Sequence, residues 1–168
     1  MSAVRDQIST ENCSVKRALD VVGEKWTLLV LREAFYGARR FERFQARIGC
    51  PRQVLTDRLS TLVTAGVLRK VPYQEPGQRE RHEYRLTEKG RDLLPAVIAL
   101  MQWGDKWEVD SAGPPVEVVH RDCGHPVELT LRCRADQTPL TAYDTEPRPG
   151  PGARLAKTGK TIPVKKMR

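Results

Sequence analysis

Long apolar runs are missing from this chain. No stretch approaches the ~20 consecutive apolar residues that cross a bilayer as a helix. The opening MSAVRDQISTENCS lacks the basic-then-apolar order of an export signal. Both absences lead to the expectation of a cytoplasmic protein with no membrane partner. Cysteine is scarce, four in 168 residues, and scattered without the spacing of a disulfide framework. Enzyme signatures are missing as well. No nucleophile-elbow or zinc-protease pattern is present. Gly159-Lys160-Thr161 imitates the end of a phosphate-binding loop, but the nearest earlier glycine is Gly152 and no apolar strand leads in. A non-enzymatic, soluble protein is expected.

Positive charge is unevenly distributed. Residues 39–91 hold thirteen basic and six acidic residues, a net of +7, and residues 148–168 hold seven basic and no acidic ones. Residues 1–38 are balanced, and residues 92–147 carry a net of −6. A basic excess confined to one module and a tail is the footprint of a polyanion binder, although a solvated basic surface gives the same count.

Residues 1–12 are polar and expected to be loose. From Cys13 the apolar residues Val15, Ala18, Leu19 and Val22 recur at helical spacing. A second helix is predicted over Lys25–Phe35. It is apolar on most sides, as a central helix of a core would be. Phe41, Phe44 and Ile48 mark a short third helix. Gly49-Cys50 makes a turn, and Pro51 is expected at the first position of the next helix, Pro51–Ala65. That helix places Leu55, Leu59 and Leu62 on one side and Arg52, Gln53, Thr56, Asp57 and Ser60 on the other. Gly66 closes it. Two β-rich runs follow, Val67–Tyr73 and His82–Leu86, joined by Glu75-Pro76-Gly77-Gln78. Helix, turn, helix and a hairpin with a basic tip is the winged helix-turn-helix plan.

Thr87 is a predicted N-cap for one helix over Glu88–Trp107, which Pro95 should kink or break. Its apolar surface predicts packing against a second copy. Val116–Val119 and Val127–Leu131 are predicted short strands. Residues 147–168 are rich in Pro, Gly, Lys and Arg and are expected to be disordered. The expected fold class is mainly α with a small β wing (α+β). Its domains are 13–110 for DNA binding and dimerisation through a long helix, 116–146 as a small β-rich extension, and 147–168 as a basic tail.

The run CSVKRALDVVGEKWTLLVLREAFYGARRFERFQARIG, together with VLTDRLSTLVTAGVLRK and YRLTEKGRDL, resembles the HxlR-type transcriptional regulators. These are winged-helix dimers of MarR-like shape. The resemblance spans about residues 13–110. It implies sequence-specific binding of double-stranded DNA by a homodimer, mostly as a repressor. It also implies that Arg52, Gln53, Thr56 and Asp57 face base edges, where Arg suits guanine and Gln suits adenine. Arg58, Arg79 and Arg81 would hold phosphates or enter the minor groove. Cys13 matches the N-terminal cysteine that some members use as a redox or electrophile sensor; a small packing residue is the plainer reading. Trp26, Trp103, Trp107 and Tyr36 are candidates to line a small-molecule effector pocket, or simply core. An alternative function is nonspecific, chromosome-associated nucleic-acid binding.

His120, Cys123, Cys133 and Asp136 follow a zinc-ribbon layout of two ligand-x-x-ligand knuckles. Asp136 stands where a fourth cysteine would complete it. An aspartate can bind zinc, but a structural site prefers thiolate and imidazole, so the expectation is no cofactor and a degenerate ribbon that folds on its strands alone, with a zinc ion held by these four residues as the alternative.

Overall fold

The computed structural model describes residues 8–156. Two compact units form. One is Val21–Leu129; the other joins, among the described residues, 8–20 to 130–156. Among the described residues no helix is long and apolar enough to cross a membrane.

Helix α1 (Ser14–Val22) belongs to the second unit as far as Asp20. In the first unit, α2 (Lys25–Phe35), α3 (Phe41–Ile48) and α4 (Arg52–Thr64) precede the strands β1 (Leu68–Tyr73) and β2 (Arg81–Leu86). Helix α2 is central, as its apolar circumference requires, and touches α3, α4 and β2. Val30 and Leu31 of α2 meet Phe44 of α3 and Leu55, Leu59 and Leu62 of α4 in a core with no solvent exposure. Each such leucine stabilises the fold by about 1.5–3 kcal/mol relative to an exposed one. One carboxylate shares this helix. Glu33 is buried, and Arg32 and Arg47 hold it at 2.7 and 3.4 Å.

The turn before α4 follows expectation at Gly49, whose φ of +69° ends α3 in the left-handed region. Pro51 departs from it. Its ψ of 141° is extended, so it is the N-cap rather than the first helical residue, and its carbonyl accepts from Leu55 N. The end of α4 is a Schellman motif, with Gly66 N bonded to Val63 O and Val67 N to Leu62 O.

β1 and β2 pair antiparallel from Leu68↔Leu86 to Tyr73↔Arg81, and Pro72 faces His82. Tyr84 N also donates to Arg39 O at 2.7 Å, so the segment before α3 borders the hairpin. Thr87 caps α5 (Glu88–Arg91) by accepting from Gly90 N. The single helix expected here is broken at Asp92-Leu93 and restarts as α6 (Leu94–Trp107). The Pro95 ring cannot pass the carbonyl four residues back, so the break falls just upstream of it.

The strand expected at Val116–Val119 is absent. A single bridge, Val119↔Pro126, closes a turn over His120–His125. Beyond it, the side-chain amide of Gln102 brackets the chain, donating to Val127 O and accepting from Leu129 N. That amide takes the hydrogen bonds a strand partner would have taken, so the predicted run Val127–Leu131 forms no ladder before Leu131.

In the second unit, β3 (Leu131–Arg132) pairs with β4 (Pro139–Leu140), and a 3-10 turn (Ala142–Asp144) is capped by Thr141. Residues 147–156, expected to be disordered, are joined to residues 8–12, expected to be loose. Ile8 bridges Leu155, Ser9 N donates to Arg154 O, and Asn12 Nδ2 donates to Gly152 O at 2.6 Å. Backbone pairing, which composition does not encode, overrides the polar bias. The rest of the predicted tail, with Gly159, Lys160 and Thr161, lies outside the described residues.

Candidate nucleic-acid interface

Helix α4 has two faces. Leu55, Leu59 and Leu62 point inward, and Arg52, Gln53, Thr56, Asp57 and Ser60 are exposed on the other side. The exposed groups are mutually arranged. Gln53 Nε2 donates to Asp57 Oδ1 at 2.9 Å, and Thr56 Oγ1 donates to Arg52 O at 3.0 Å. The Arg52 guanidinium lies 4.5 Å from the centroid of the Phe41 ring. The exposed polar face of the helix thus lies opposite its buried leucine face, with four of its residues engaged with one another or with Phe41.

Arg58 sits differently. It is half-buried, and its Nε is enclosed without a partner. Arg79 and Arg81 are exposed at the tip and the start of β2. Both units of the expected DNA-binding set, the α4 face and the wing, are thus carried on one scaffold.

Several contributing residues escape a reading by spacing. Arg40 stacks on Tyr73 at 4.5 Å and pairs with Glu75 at 2.6 Å. Lys89 Nζ donates to Ala65 O at 2.8 Å, placing a cation at the C-terminus of α4, where the helix dipole favours it. A basic residue after a wing is a visible signal, but its target carbonyl is not.

Cys13 is exposed at the start of α1. Hydrogen bonds from the Lys16 and Val15 backbone hold its thiol below the ordinary cysteine range. Cys50 is buried in the turn before α4, and its carbonyl accepts from Gln45 Nε2.

The four candidate zinc ligands fall into two pairs. His120 Nδ1 lies 3.1 Å from Cys123 Sγ in the first unit. Asp136, in the second unit, accepts from Thr138 N at 3.0 Å. Its carboxyl is held below the usual range, first by Thr138 and then by the Cys133 side chain. Among the described residues no group of three or more His, Cys, Asp or Glu side chains is gathered around one point.

A cavity of about 340 Å³ opens between α2 and α6, lined in part by Leu28, Arg32, Tyr36, Met101 and Asp105. Of the aromatics expected there, Tyr36 alone lines it. Trp103 and Trp107 are exposed on α6, and Trp26 packs against the core.

Residues 21–112 match the HxlR-like helix-turn-helix family. Rv3095 of Mycobacterium tuberculosis, an uncharacterised HTH-type transcriptional regulator, is 49% identical over 148 residues, which cover 87% of this chain and 92% of that one. Among solved structures, PA1607, a candidate transcription factor, matches with a TM-score of 0.72 at 42% identity, covering 81% of this chain and 94% of that one. The redox regulator HypR in its oxidised form matches with a TM-score of 0.53 at 30% identity, covering 58% and 100%. The helix-turn-helix, the wing and the matched span together place this chain in the HxlR-like helix-turn-helix family, whose members are DNA-binding transcriptional regulators and not enzymes.

Proposed function

We propose that the chain is a homodimeric repressor that reads a two-part operator through α4 and grips the flanking backbone with its wing. The observation that carries this reading is the exposed polar face of α4, set opposite a fully buried leucine face. Arg52, Gln53, Thr56 and Asp57 contact base edges, and Arg58, Arg79 and Arg81 bind phosphate or enter the minor groove.

Dimerisation is supported by α6. Leu100, Trp103 and Trp107 recur at spacings of three and four and are 55%, 57% and 63% exposed. A tryptophan buries about 150–250 Å² when covered, and a continuous apolar stripe of this kind marks a protein-binding face. Val15 and Leu19 form a similar exposed pair on α1. A second copy covering these faces would present two recognition helices to half-sites about 34 Å apart.

Regulation is proposed at Cys13, whose lowered thiol pKa favours the reactive thiolate. The similarity to the redox regulator HypR supports a response to oxidants or electrophiles. The cavity beside Tyr36 is the proposed place for a small-molecule effector.

Footprinting on genomic fragments with the full chain tests the function. The expected result is two protected half-sites and a preference of about 10³-fold or more over random DNA at physiological salt. A coating protein would give uniform protection and no preference.

A further inference from the structure

Arg40, just before α3, reaches across to the wing. Its guanidinium lies over the Tyr73 ring, 4.5 Å from the centroid, and its Nη1 donates to Glu75 Oε1 at 2.6 Å. Tyr73 is the last residue of β1, and Glu75 lies in the connector that follows it. Both contacts thus fall at the turn end of the hairpin, away from its Leu68↔Leu86 base, where Leu68 is buried. The base of the hairpin packs on the core through Leu68, Tyr84 and Leu86. The turn end lies beyond those contacts, and because a two-stranded hairpin is only marginally stable alone in water, the direction of that end depends on contacts of this kind. Arg40 and Glu75 are about half exposed, and an isolated pair there would contribute little. Here the pair and the stack share one planar guanidinium, and each fixes the orientation the other needs.

We propose that Arg40 is a positioning residue for DNA binding: it clamps Tyr73 and Glu75, sets the angle of the wing, and so aims Arg79 and Arg81. It does not itself bind phosphate, because the Glu75 carboxylate occupies its charge. The hydrogen bond to Glu75 also holds the Arg40 pKa above the usual arginine value. The inference rests on the proposed operator-binding function and adds the residue that orients one of its two contact elements.

One substitution separates a clamp from a phosphate ligand by sign. Glu75→Gln removes a negative charge from a face that meets a polyanion. If Arg40 were a phosphate ligand held back by Glu75, the change would tighten binding. If Arg40 is a clamp, the wing loosens and operator affinity falls about three- to tenfold, the range of one exposed stack and ion pair. Tyr73→Leu should fall in the same range although it changes no charge.

The experiment titrates the full chain against footprinted operator DNA at several salt concentrations. It compares the native protein, Glu75→Gln, Tyr73→Leu, the double variant Arg79→Ala/Arg81→Ala, and that double variant combined with Glu75→Gln. The expected result is weaker binding by both single variants and no further loss from Glu75→Gln once Arg79 and Arg81 are gone. Hydrogen exchange on the free protein gives a readout without DNA: amides at the Tyr73–Arg81 end of the hairpin should exchange faster in Glu75→Gln. Tighter binding by Glu75→Gln, or unchanged exchange at that end, overturns the proposal. If the native chain shows no operator preference, the functional reading fails, while the exchange measurement still decides whether Arg40 is a clamp.

Discussion

The guanidinium carbon of Arg52 lies over the Phe41 ring, 4.5 Å from its centroid, which ties the first residue of α4 to the first residue of α3. Arginine loses much rotamer freedom on binding, and a stack made in the free protein pre-empts part of that loss. Phe41→Leu keeps an apolar side chain against the core and removes only the stack. It should weaken operator binding by about 0.5–1 kcal/mol, the range of an exposed cation–π contact. Arg52→Ala should cost about 1–3 kcal/mol and relax selectivity at one base pair. The decisive comparison is a substitution scan of the operator. Relaxation by Phe41→Leu at a base pair other than that of Arg52→Ala would refute the link.

Glu33 carries the only buried carboxylate of α2, and two arginines answer it. The Arg47 side chain is 63% exposed, so solvent screening discounts its share. The bonds from Arg32, at 3.0 and 2.7 Å, dominate. A hydrogen bond to a charged group contributes about 1.5–3 kcal/mol. Glu33→Ala should therefore destabilise the fold by about 2 kcal/mol in a denaturant titration, and Glu33→Gln by less. Arg47→Ala should change stability by under about 0.5 kcal/mol. Equal losses from Glu33→Ala and Arg47→Ala would show that the network, rather than the Arg32 pair, holds the carboxylate.

Most of the first unit was legible because its determinants are local. The apolar spacing of α2 and α4, the Gly49 turn, the Thr87 cap and the Pro95 break each depend on residues within a few positions. The partners of Arg40, Gln102 and Ile8 depend on distant residues. Arg40 and Glu75 are 35 positions apart, and nothing in either neighbourhood names the other. Gln102 looks like an ordinary polar residue on a helix, yet its amide replaces a strand partner for Val127 and Leu129. The site divides along the same line. Which face of α4 is polar was readable, whereas the Phe41 stack and the enclosed Nε of Arg58 depend on packing.

Gly90 is helical, so propensity alone favours alanine there by about 1 kcal/mol. Space reverses the sign. A Cβ on Gly90 would lie 2.2 Å from Val67 O, a backbone atom that also accepts from Thr87 N. Neither side can yield without moving the start of the wing or the Thr87 cap. Overpacking of this kind costs about 1–3 kcal/mol, so Gly90→Ala should lower the melting temperature. Gly104→Ala on α6 meets no atom within 4 Å and should raise stability by about 0.5–1 kcal/mol. Calorimetry on the two variants gives opposite shifts if local space decides, and shifts of the same sign if propensity does.

Cys13 offers a test with a defined pH direction. Its thiol is held below the usual range first by the Lys16 backbone hydrogen bond and next by that of Val15, while the Lys16 charge is the weakest contributor. The folded pKa is therefore lower than the unfolded one. The thiolate's stabilisation is fully present above the unfolded pKa and is lost as pH falls through the folded pKa. Between the two values Cys13 is more ionised in the native chain than in the same chain in urea, and iodoacetamide should label it with a midpoint at lower pH. Cys50 is 2% exposed and should label only on unfolding. Lys16→Gln keeps the backbone donor and should move the midpoint little. Lys16→Pro removes that N–H in the first helical turn, where proline is tolerated, and should move the midpoint upward. If Lys16→Gln moves it as far as Lys16→Pro does, side-chain charge rather than the helix terminus activates the thiol.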